Sequence, residues 1–404
     1  MTSTKEADVL YISYDGLMEP LGQSQILQYV LRLAEQHRIV LITYEKSVDW
    51  ADAAERKKLQ DRMRIAAIEW IPLRYHKSPT VPATMFDLAV GVFVCLYVMW
   101  RYSPRIVHAR SYVPSILSLA LKSAFGVRYV FDMRGFWADE KVDAGQWRHG
   151  SLLYKAAKWF EKRFLLEADV VVSLSHAGIN EIKAFPYLKD RVPRFEIIPT
   201  CANLEMFRPN NNAEEAVERE TPFTVGYVGT VSGWYLFDPV LECFLWIKEM
   251  KPDANLLILN RGEHSYIQER LNRFDIGSDV VEIKSVPYGH VAREMARMDA
   301  TVFFIKQAFS KRASSPTKLG EFLGCGIPCL SNDGIGDMTR ILEEEGVGVI
   351  LREFTPAAQR EAVQKYLRLV SSHGVQQKCV AAAHRHFSLD VGVQAYHALY
   401  RSLS

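Results

Sequence analysis

Short apolar segments alternate with amphipathic ones along this 404-residue chain. Several apolar segments are continuous runs of Val, Ile, Leu and Tyr, which indicates strands covered on both faces. Such strands, separated by helical segments, predict βαβ units around parallel sheets. The predicted strands are Val9–Ser13, Ile39–Thr43, Ile68–Leu73, Arg105–Ala109, Arg128–Asp132, Val170–Leu174, Glu196–Pro199, Phe223–Val228, Asn255–Leu259, Val281–Val286, Thr301–Ile305, Pro328–Ser331 and Gly348–Leu351.

A polar, acidic and proline-bounded stretch, Pro209–Pro222, interrupts the series and is interpreted as a linker. Two domains are also expected from chain length, because single hydrophobic cores stop growing at about 250–300 residues. We expect doubly wound, Rossmann-like domains over residues 1–208 and 222–386, with a helix at about 387–404 packing back on the first. If the two domains face a cleft, the loops that follow their strands should bind the ligand there.

Composition excludes several classes of protein. The chain has 49 Lys and Arg against 47 Asp and Glu, so it lacks the positive charge that nucleic-acid binding requires. Six dispersed cysteines without Cys-x-x-Cys spacing indicate reduced, buried thiols rather than disulfides or a zinc site. The N-terminal sequence enters a strand after a few polar residues, unlike a signal peptide, which favours a cytoplasmic protein.

One segment, Leu88–Trp100, consists of thirteen apolar residues. A membrane-spanning helix needs about 20, so this segment is too short to span. One interpretation is a buried or half-buried helix of a Rossmann-like domain. The other is an interfacial helix that contacts a membrane surface through aromatic side chains, with basic residues nearby. The side chains concerned are Phe86, Phe93, Tyr97, Trp100, Arg101 and Arg105.

The strongest local motif follows the predicted strand Thr301–Ile305, where a polar loop leads into a helix with Pro316 in its first turn. Free backbone N–H groups there, the hydroxyls of Ser315 and Thr317 and the ammonium of Lys318 would form a diphosphate site. Glu321, one turn further on, could accept hydrogen bonds from both hydroxyls of a ribose. The alternative is a capped surface helix with a Lys–Glu pair, which the following Gly-Cys-Gly-Ile-Pro turn disfavours.

The run SPTKLGEFLGCGIPCLSND resembles the donor-binding segment of family-4 glycosyltransferases. Further segments resemble that family in the same order along nearly the whole chain: YDGLMEPLGQSQ, VHARSY, FDMRGFWADE, IIPTCANLEMFRP and FTVGYVGT. The resemblance implies a GT-B fold and a UDP- or GDP-sugar donor bound mainly by the second domain. It also implies transfer with retention, to a glycan or polyprenyl-linked acceptor, in bacterial surface polysaccharide or lipopolysaccharide synthesis at the cytoplasmic face of the membrane. No cofactor or metal is expected, consistent with the absence of an Asp-x-Asp pair.

Position by position, Glu321 matches the ribose-binding second Glu of the family's Glu-seven residues-Glu pattern, whereas Ala313 occupies the position of the first. In the family that first Glu helps to hold the donor sugar. The family often has Arg directly after the glycine at Gly229 and a Lys shortly beyond it. Here these positions hold Thr230 and the pair Trp234-Tyr235.

Lys318 and Arg261 are therefore the best remaining cations for the leaving diphosphate, although Arg261 could also be an ordinary surface arginine. Stabilisation of the leaving group by such donors is expected to be the main catalytic contribution. The donor-binding set in the second domain is completed by Gly229, Thr230, Ser315 and Thr317.

In the first domain, Gly16 and Gly22 flank a loop that leads into a helix, and glycine would let the backbone approach a bulky ligand. Asp132 follows a strand and matches the position where related enzymes place a His or Asp near the donor sugar. We expect Asp132 to hold a sugar hydroxyl or the acceptor, and Arg134 to contact phosphate. Alternatively, the two pair with each other or with Glu140 as structural ions.

Two other functions remain open. A sugar-nucleotide epimerase or a phosphorylase can share this fold. A non-catalytic sugar-nucleotide-binding subunit is the second alternative, and Ala313 in place of the family's Glu is the feature that favours it.

Overall fold

The computed structural model describes residues 6–209 and 222–404, so residues 210–221 of the stretch interpreted as a linker lie outside the described residues. The chain divides into two units. The first ends at Pro199 and takes in Leu389–Ser404, and the second is Thr200–Ser388.

The boundary between the units lies after Pro199, not at residue 208. Residues beyond Pro199 belong to the second unit because Phe207 is buried in its core and the Ala202 N–H donates to the Phe387 carbonyl at 2.8 Å. The last helix is part of the first unit.

The first unit contains a seven-stranded parallel sheet in the order β3-β2-β1-β4-β5-β6-β7. Strands β1 and β2 are buried at every position, so continuous apolar sequence rather than alternation marks them. The strands are β1 Val9–Ser13, β2 Ile39–Glu45, β3 Glu69–Arg74, β4 Ile106–Arg110, β5 Arg128–Asp132, β6 Val170–Ser173 and β7 Phe195–Ile197.

Helices connect these strands. The connection after β1 is irregular, because a π-helical turn, Gln23–Leu27, lies between α1 and α2. The helices are α1 Pro20–Gly22, α2 Gln28–Leu33, α3 Ser47–Trp50, α4 Ala53–Ile65, α5 Thr80–Tyr102, α6 Tyr112–Phe125, α7 Trp137–Asp143, α8 Leu152–Glu167 and α9 His176–Lys183.

The second unit contains a six-stranded parallel sheet in the order β10-β9-β8-β11-β12-β13. Its strands are β8 Thr224–Val228, β9 Asn255–Leu259, β10 Val281–Lys284, β11 Ala300–Val302, β12 Cys329–Asn332 and β13 Gly348–Leu351. Its helices are α10 Phe237–Met250, α11 His264–Arg273, α12 Tyr288–Met295, α13 Thr317–Gly324, α14 Met338–Glu344, α15 Pro356–Val370 and α16 Val375–Phe387, and α17 Leu389–Leu403 returns to the first unit.

Every predicted strand is present, with ends that differ by a few residues. In each sheet the strand order reverses next to the first strand, between β1 and β4 and between β8 and β11. Open parallel sheets bind ligands outside the carboxyl ends of the strands at such a switch point. The fold therefore provides one candidate ligand position in each unit. All six cysteines are buried free thiols.

Helix α5 corrects the interpretation of the apolar segment Leu88–Trp100. The helix has 23 residues and is long and apolar enough to cross a membrane by length and composition alone. Only 28% of its most apolar 18-residue stretch is buried. The apolar segment was judged too short to span a membrane because the helix begins eight residues earlier, where polar residues such as Asp87 interrupt the apolar sequence. Asp87 is buried and accepts hydrogen bonds from Tyr14 Oη at 2.8 Å and the His76 N–H at 3.1 Å.

Candidate functional site

At the switch point of the second sheet, the loops after β8 and β11 are joined to each other. Tyr235 and Ile305 form an antiparallel bridge. Beside it, the Leu236 N–H donates to the Phe304 carbonyl at 3.0 Å and the Lys306 N–H to the Trp234 carbonyl at 2.8 Å. These hydrogen bonds fix both loops at the edge of the sheet where a ligand is expected.

The loop after β9 joins the same network. Asn260 Nδ2 donates to the Gly229 carbonyl at 3.0 Å and to Glu263 Oε2 at 2.9 Å, and the Val231 N–H donates to the same carboxylate at 2.9 Å. Burial acts to raise the pKa of Glu263, but hydrogen bonds from Ser232, Val231 and Asn260 outweigh it and hold the pKa below its usual value. Three consecutive loops are thereby ordered around Gly229.

Lys318 lies in the first turn of α13 and directs its ammonium group into an aromatic cage. The side chain is 8% exposed, and its buried Nζ atom has no hydrogen-bond partner. Nζ lies 3.7 Å from the ring centre of Tyr235, 5.0 Å from that of Tyr227 and 5.6 Å from that of Phe303. Cation–π attraction compensates the buried ammonium only in part, so a positive group is held ready for an anion.

Gly229 permits this placement of Lys318. Its φ is +103°, which side-chain-bearing residues rarely adopt, and a Cβ atom there would lie 3.3 Å from Lys318 Nζ. The ammonium therefore lies directly against the backbone of the loop after β8.

Lys318 and Glu321 are both buried and lie one helical turn apart. Burial lowers the pKa of Lys318 to about 7, and the charge of Glu321 only partly opposes this. Burial likewise raises the pKa of Glu321 to about 7, against the charge of Lys318. Burial thus moves both pKa values towards neutrality, and strongly shifted pKa values of this kind concentrate at functional sites.

The other residues predicted in the second unit surround this helix start. Pro316 is the N-cap residue of α13, one position before the first helical turn in which the sequence placed it. Ser315 Oγ accepts a hydrogen bond from the Thr200 N–H at 3.3 Å, which joins the loop before α13 to the segment after β7. Thr317 is the first residue of α13, and Thr230 is exposed directly after Gly229.

Arg261 lies on the loop after β9 and is exposed. It follows Asn260, whose side chain holds the Gly229 carbonyl. Among the described residues, Arg261 makes no side-chain hydrogen bond or ion pair.

Two residues of the site were not singled out as functional from the sequence. Trp234 and Tyr235 were noted only because they occupy the position of a family cation. In the structure they hold cations by their ring faces, since Lys311 Nζ lies 3.9 Å from the Trp234 ring centre and Lys318 lies over Tyr235. The available signal was the aromatic pair at that position, together with Lys311 just before α13 and Lys318 within α13.

In the first unit, the two predicted glycines are required by packing. A Cβ on Gly22 would lie 1.9 Å from the Gly16 carbonyl oxygen, and one on Gly16 would lie 2.5 Å from Glu45 Oε2. Glu45 Oε1 accepts a hydrogen bond from the Leu17 N–H at 2.8 Å. Loop packing therefore accounts for both glycines without a ligand.

Asp132 is fully buried, which favours the structural role that the sequence left open. Its Oδ2 atom accepts a hydrogen bond from Tyr396 Oη at 3.3 Å and lies 3.6 Å from both Arg110 Nη1 and His108 Nε2. Burial acts to raise the pKa of Asp132, but the nearby His108 imidazole and the charges of Arg134 and Arg110 lower it overall. Asp132 is thus a buried counter-ion of Arg110, and its expected contact with a sugar hydroxyl stays a prediction.

His108 is buried, and its Nδ1 atom is hydrogen-bonded to Tyr400 Oη at 2.6 Å. Burial lowers the pKa of His108 despite the neighbouring Asp132. Arg134 Nη2 donates to Gln25 Oε1 at 2.6 Å. No group of three or more His, Cys, Asp or Glu side chains that could hold a metal ion occurs in residues 6–209 and 222–404.

Known proteins share the domain type and the fold. Residues 22–193 match the family model of the glycosyl transferase 4-like domain. No curated protein sequence matches the chain. A glycosyltransferase from Rickettsia africae is 12% identical, with 98% of each chain covered and a TM-score of 0.69.

Two further solved structures are similar. The Anabaena protein HepE in complex with UDP-glucose is 13% identical, covering 98% of this chain and 100% of that one, with a TM-score of 0.68. The lipopolysaccharide outer core galactosyltransferase WaaB is 14% identical, covering 98% and 99%, with a TM-score of 0.62. At these identities the likeness shows the GT-B fold. The chain thus has the GT-B fold and contains a glycosyl transferase 4-like domain over residues 22–193.

Proposed function

We propose that this chain is a family-4-like glycosyltransferase that takes its sugar from a UDP-sugar, and that the diphosphate of this donor binds at the start of α13 in the second unit. The observation that carries this proposal is the buried ammonium of Lys318, which has no hydrogen-bond partner and lies against the loop after β8. A helix N-terminus and a lysine at a switch point together favour a doubly charged group.

The geometry suits departure of the nucleotide diphosphate. Negative charge accumulates on the leaving phosphate as its bond to the anomeric carbon breaks. Lys318, the backbone N–H groups at Thr317 and exposed Arg261 would stabilise that charge, and loss of one preorganised donor typically costs about 3 kcal/mol. Glu321, one turn further along α13, would accept the ribose hydroxyls. Retention at the anomeric carbon and independence of metal are part of this proposal.

The similar structures support the choice of base and acceptor. HepE was solved with UDP and with UDP-glucose, which supports uridine over guanosine. The similarity to a lipopolysaccharide galactosyltransferase supports a glycan or lipid-linked glycan acceptor in a bacterial surface polysaccharide. We assign acceptor binding to the first unit.

Helix α5 supports a peripheral contact of the first unit with a membrane. One stripe of the helix, with Asp87, Gly91 and Cys95, is buried, and the hydrogen bonds of Asp87 hold it to the unit. The opposite face is exposed, with Phe93 at 73% and Trp100 at 76%. The exposed large side chains are Val81, Met85, Phe86, Val92, Phe93, Leu96, Tyr97 and Trp100.

Charge also favours an anionic bilayer as the occupant of this face. The only acidic residue in the helix is the buried Asp87. Lys77 precedes the helix, and Arg101 and Arg105 lie at or beyond its end. An apolar face with aromatic residues and flanking basic residues is typical of interfacial helices. We therefore place the enzyme at the cytoplasmic face of the membrane.

Incubation with UDP-sugars, with and without EDTA, tests the proposal. We expect release of UDP that EDTA does not abolish and that Lys318→Ala lowers strongly. Release that requires added metal would refute metal independence. Binding of UDP-sugars without release under any condition would favour the non-catalytic binding subunit, for which Ala313 is the supporting feature.

A further inference from the structure

The switch point of the first sheet holds two arginines that converge on one oxygen atom. Arg110 is the last residue of β4, and Arg134 follows the end of the neighbouring strand β5. Arg110 Nη2 donates to Gln25 Oε1 at 2.7 Å, and Arg134 Nη2 donates to the same oxygen at 2.6 Å. The two guanidinium groups thus donate to the same neutral oxygen atom.

The carboxylates near Arg110 leave this charge incompletely paired. Asp132 Oδ2 lies 3.6 Å from Arg110 Nη1, but the same oxygen also accepts from Tyr396. Asp15 Oδ2 is 4.0 Å from Arg110 Nε, and that buried Nε–H has no hydrogen-bond partner. A buried guanidinium with an unused donor is costly unless a ligand completes its hydrogen bonds.

The backbone is unusual at Gln25, at Arg134 and directly after Arg110. Gln25 lies in the π-helical turn Gln23–Leu27, and such turns are frequent at functional sites. Arg134 has a φ of +59°, in the left-handed region. Ser111, directly after Arg110, has a φ of 72° and a ψ of −171°, a conformation otherwise almost restricted to glycine. Strained conformations of this kind persist where the surrounding structure requires them, often at ligand sites.

We infer that Arg110 and Arg134 form an anion site for a phosphate group of the acceptor, and that the Gln25 amide oxygen occupies the position of a phosphate oxygen when the site is empty. Arginine suits this role because its planar fork can donate two hydrogen bonds to a phosphate. This inference rests on the proposed function, in which the donor diphosphate binds at Lys318 of the second unit. Arg134, which the sequence assigned to the donor, is thereby assigned to the acceptor.

Calorimetric titration of the full chain with inorganic pyrophosphate, in the presence of saturating UDP, tests the site. UDP occupies the donor position, so pyrophosphate reports on a second site. We expect saturable binding that Arg134→Gln weakens about tenfold or more, because charge-assisted hydrogen bonds are the strong ones. Arg110→Lys, which keeps the charge but loses the fork, should also weaken it. Gln25→Ala should leave pyrophosphate binding unchanged or make it tighter.

Arg128→Gln is the matched control. Arg128 begins the same strand β5 at the opposite edge of the sheet and pairs with Asp169 at 3.2 Å. We expect this control to bind pyrophosphate as the wild type does, and all four variants to keep the wild-type affinity for UDP. Pyrophosphate affinity unchanged in both arginine variants would overturn the inference. A parallel loss of UDP affinity would also overturn it, because the arginines would then serve the donor.

Two competitors distinguish the source of the phosphate. Displacement of pyrophosphate by farnesyl diphosphate would assign the site to a lipid-linked acceptor, and displacement by glucose 6-phosphate alone to a phosphorylated sugar. Either result supports a phosphate site. If neither competitor displaces pyrophosphate, the inference is contradicted. Failure of the wild type to bind UDP would count against the proposed function, and pyrophosphate binding measured without UDP would still report on Arg110 and Arg134.

Discussion

The Nζ atom of Lys318 lies 3.7 Å from the ring centre of Tyr235, so a helix-borne cation is held by the loop after β8. Tyr235 occupies the region in which the family resemblance placed a lysine. The positive charge is therefore supplied by α13, and aromatic rings position it. The buried charge of Lys318 lowers the stability of the fold, and the same charge would attract a phosphate ligand.

Replacement of Lys318 by Met should separate stability from function. Burial lowers the pKa of Lys318 from 10.5 to about 7, so the folded chain binds this proton less readily than the unfolded chain. The difference destabilises the fold at pH values below 10.5, and the full effect is reached below pH 7. At pH 7, Lys318→Met removes the cost of the buried ammonium but leaves Glu321 buried without its partner, so Lys318→Met with Glu321→Gln should raise the free energy of unfolding by about 1–4 kcal/mol, and Lys318→Met alone should raise it less; both should weaken UDP binding. Denaturant unfolding and calorimetry measure both. A variant that is less stable and binds UDP normally would show that the ammonium has another role.

Glu321→Gln should weaken UDP binding through the ribose alone. A hydrogen bond to a charged group contributes about 1.5–3 kcal/mol, so the loss should be of that order for UDP. It should nearly vanish for 2′,3′-dideoxy-UDP, which lacks both ribose hydroxyls. Glu361→Gln, at an exposed glutamate paired with Lys365, is the control. Equal losses for the two nucleotides would place the ribose elsewhere.

The affinity for UDP-glucose should be greatest near pH 7. Lys318 loses its charge above about pH 7 and Glu321 loses its charge below about pH 7, both because of burial. The affinity should fall by up to about tenfold per pH unit on each side. Lys318→Met should flatten the alkaline limb and Glu321→Gln the acid limb. A flat profile in the wild type would contradict the assignment of both residues.

Substitution of Gly229 tests the contact between the loop and the ammonium. Gly229→Ala places a Cβ 3.3 Å from Lys318 Nζ at a φ of +103°. The strain should cost about 1–3 kcal/mol of stability and weaken UDP binding. Gly262→Ala, on the adjacent loop with no atom within 4 Å of the new Cβ, should change neither. Wild-type behaviour of Gly229→Ala would mean that the loop adapts without cost.

Membrane association should depend on the exposed face of α5. The double variant Phe93→Ser, Trp100→Ser removes two large exposed side chains without touching the buried stripe. Binding to phosphatidylglycerol vesicles should fall about tenfold or more, and neutral phosphatidylcholine vesicles should bind the wild type more weakly. Trp159→Ser, an exposed tryptophan on α8, serves as the control. Sedimentation of the double variant at the wild-type level would refute the assignment of this face.

The sequence predicted the fold well because both sheets are built from continuous apolar segments, which need no long-range information to recognise. It failed where partners are distant along the chain. Asp87 has its partners in Tyr14 and His76, so its burial, and with it the length of α5, could not be read locally. Arg110 was overlooked because its position beside Arg134 depends on the pairing of β4 with β1 and β5, which the sequence does not show.

The proposed donor site could also be predicted only in part. The motif at the start of α13 combines a local helix signal with local chemistry, so the sequence alone points to Lys318 and Glu321. The cage around Lys318 depends on the bridge between Tyr235 and Ile305, which joins loops that are far apart in sequence. The burial of Asp132 could not be predicted locally, because it depends in part on α17, which returns from the end of the chain.

A crystal structure of the chain with bound UDP tests the central claim most directly. The account predicts diphosphate oxygens about 3 Å from Lys318 Nζ and from the backbone N–H groups at the start of α13, with the ribose hydroxyls on Glu321. A diphosphate bound away from α13, for example on Arg110 and Arg134, would contradict it.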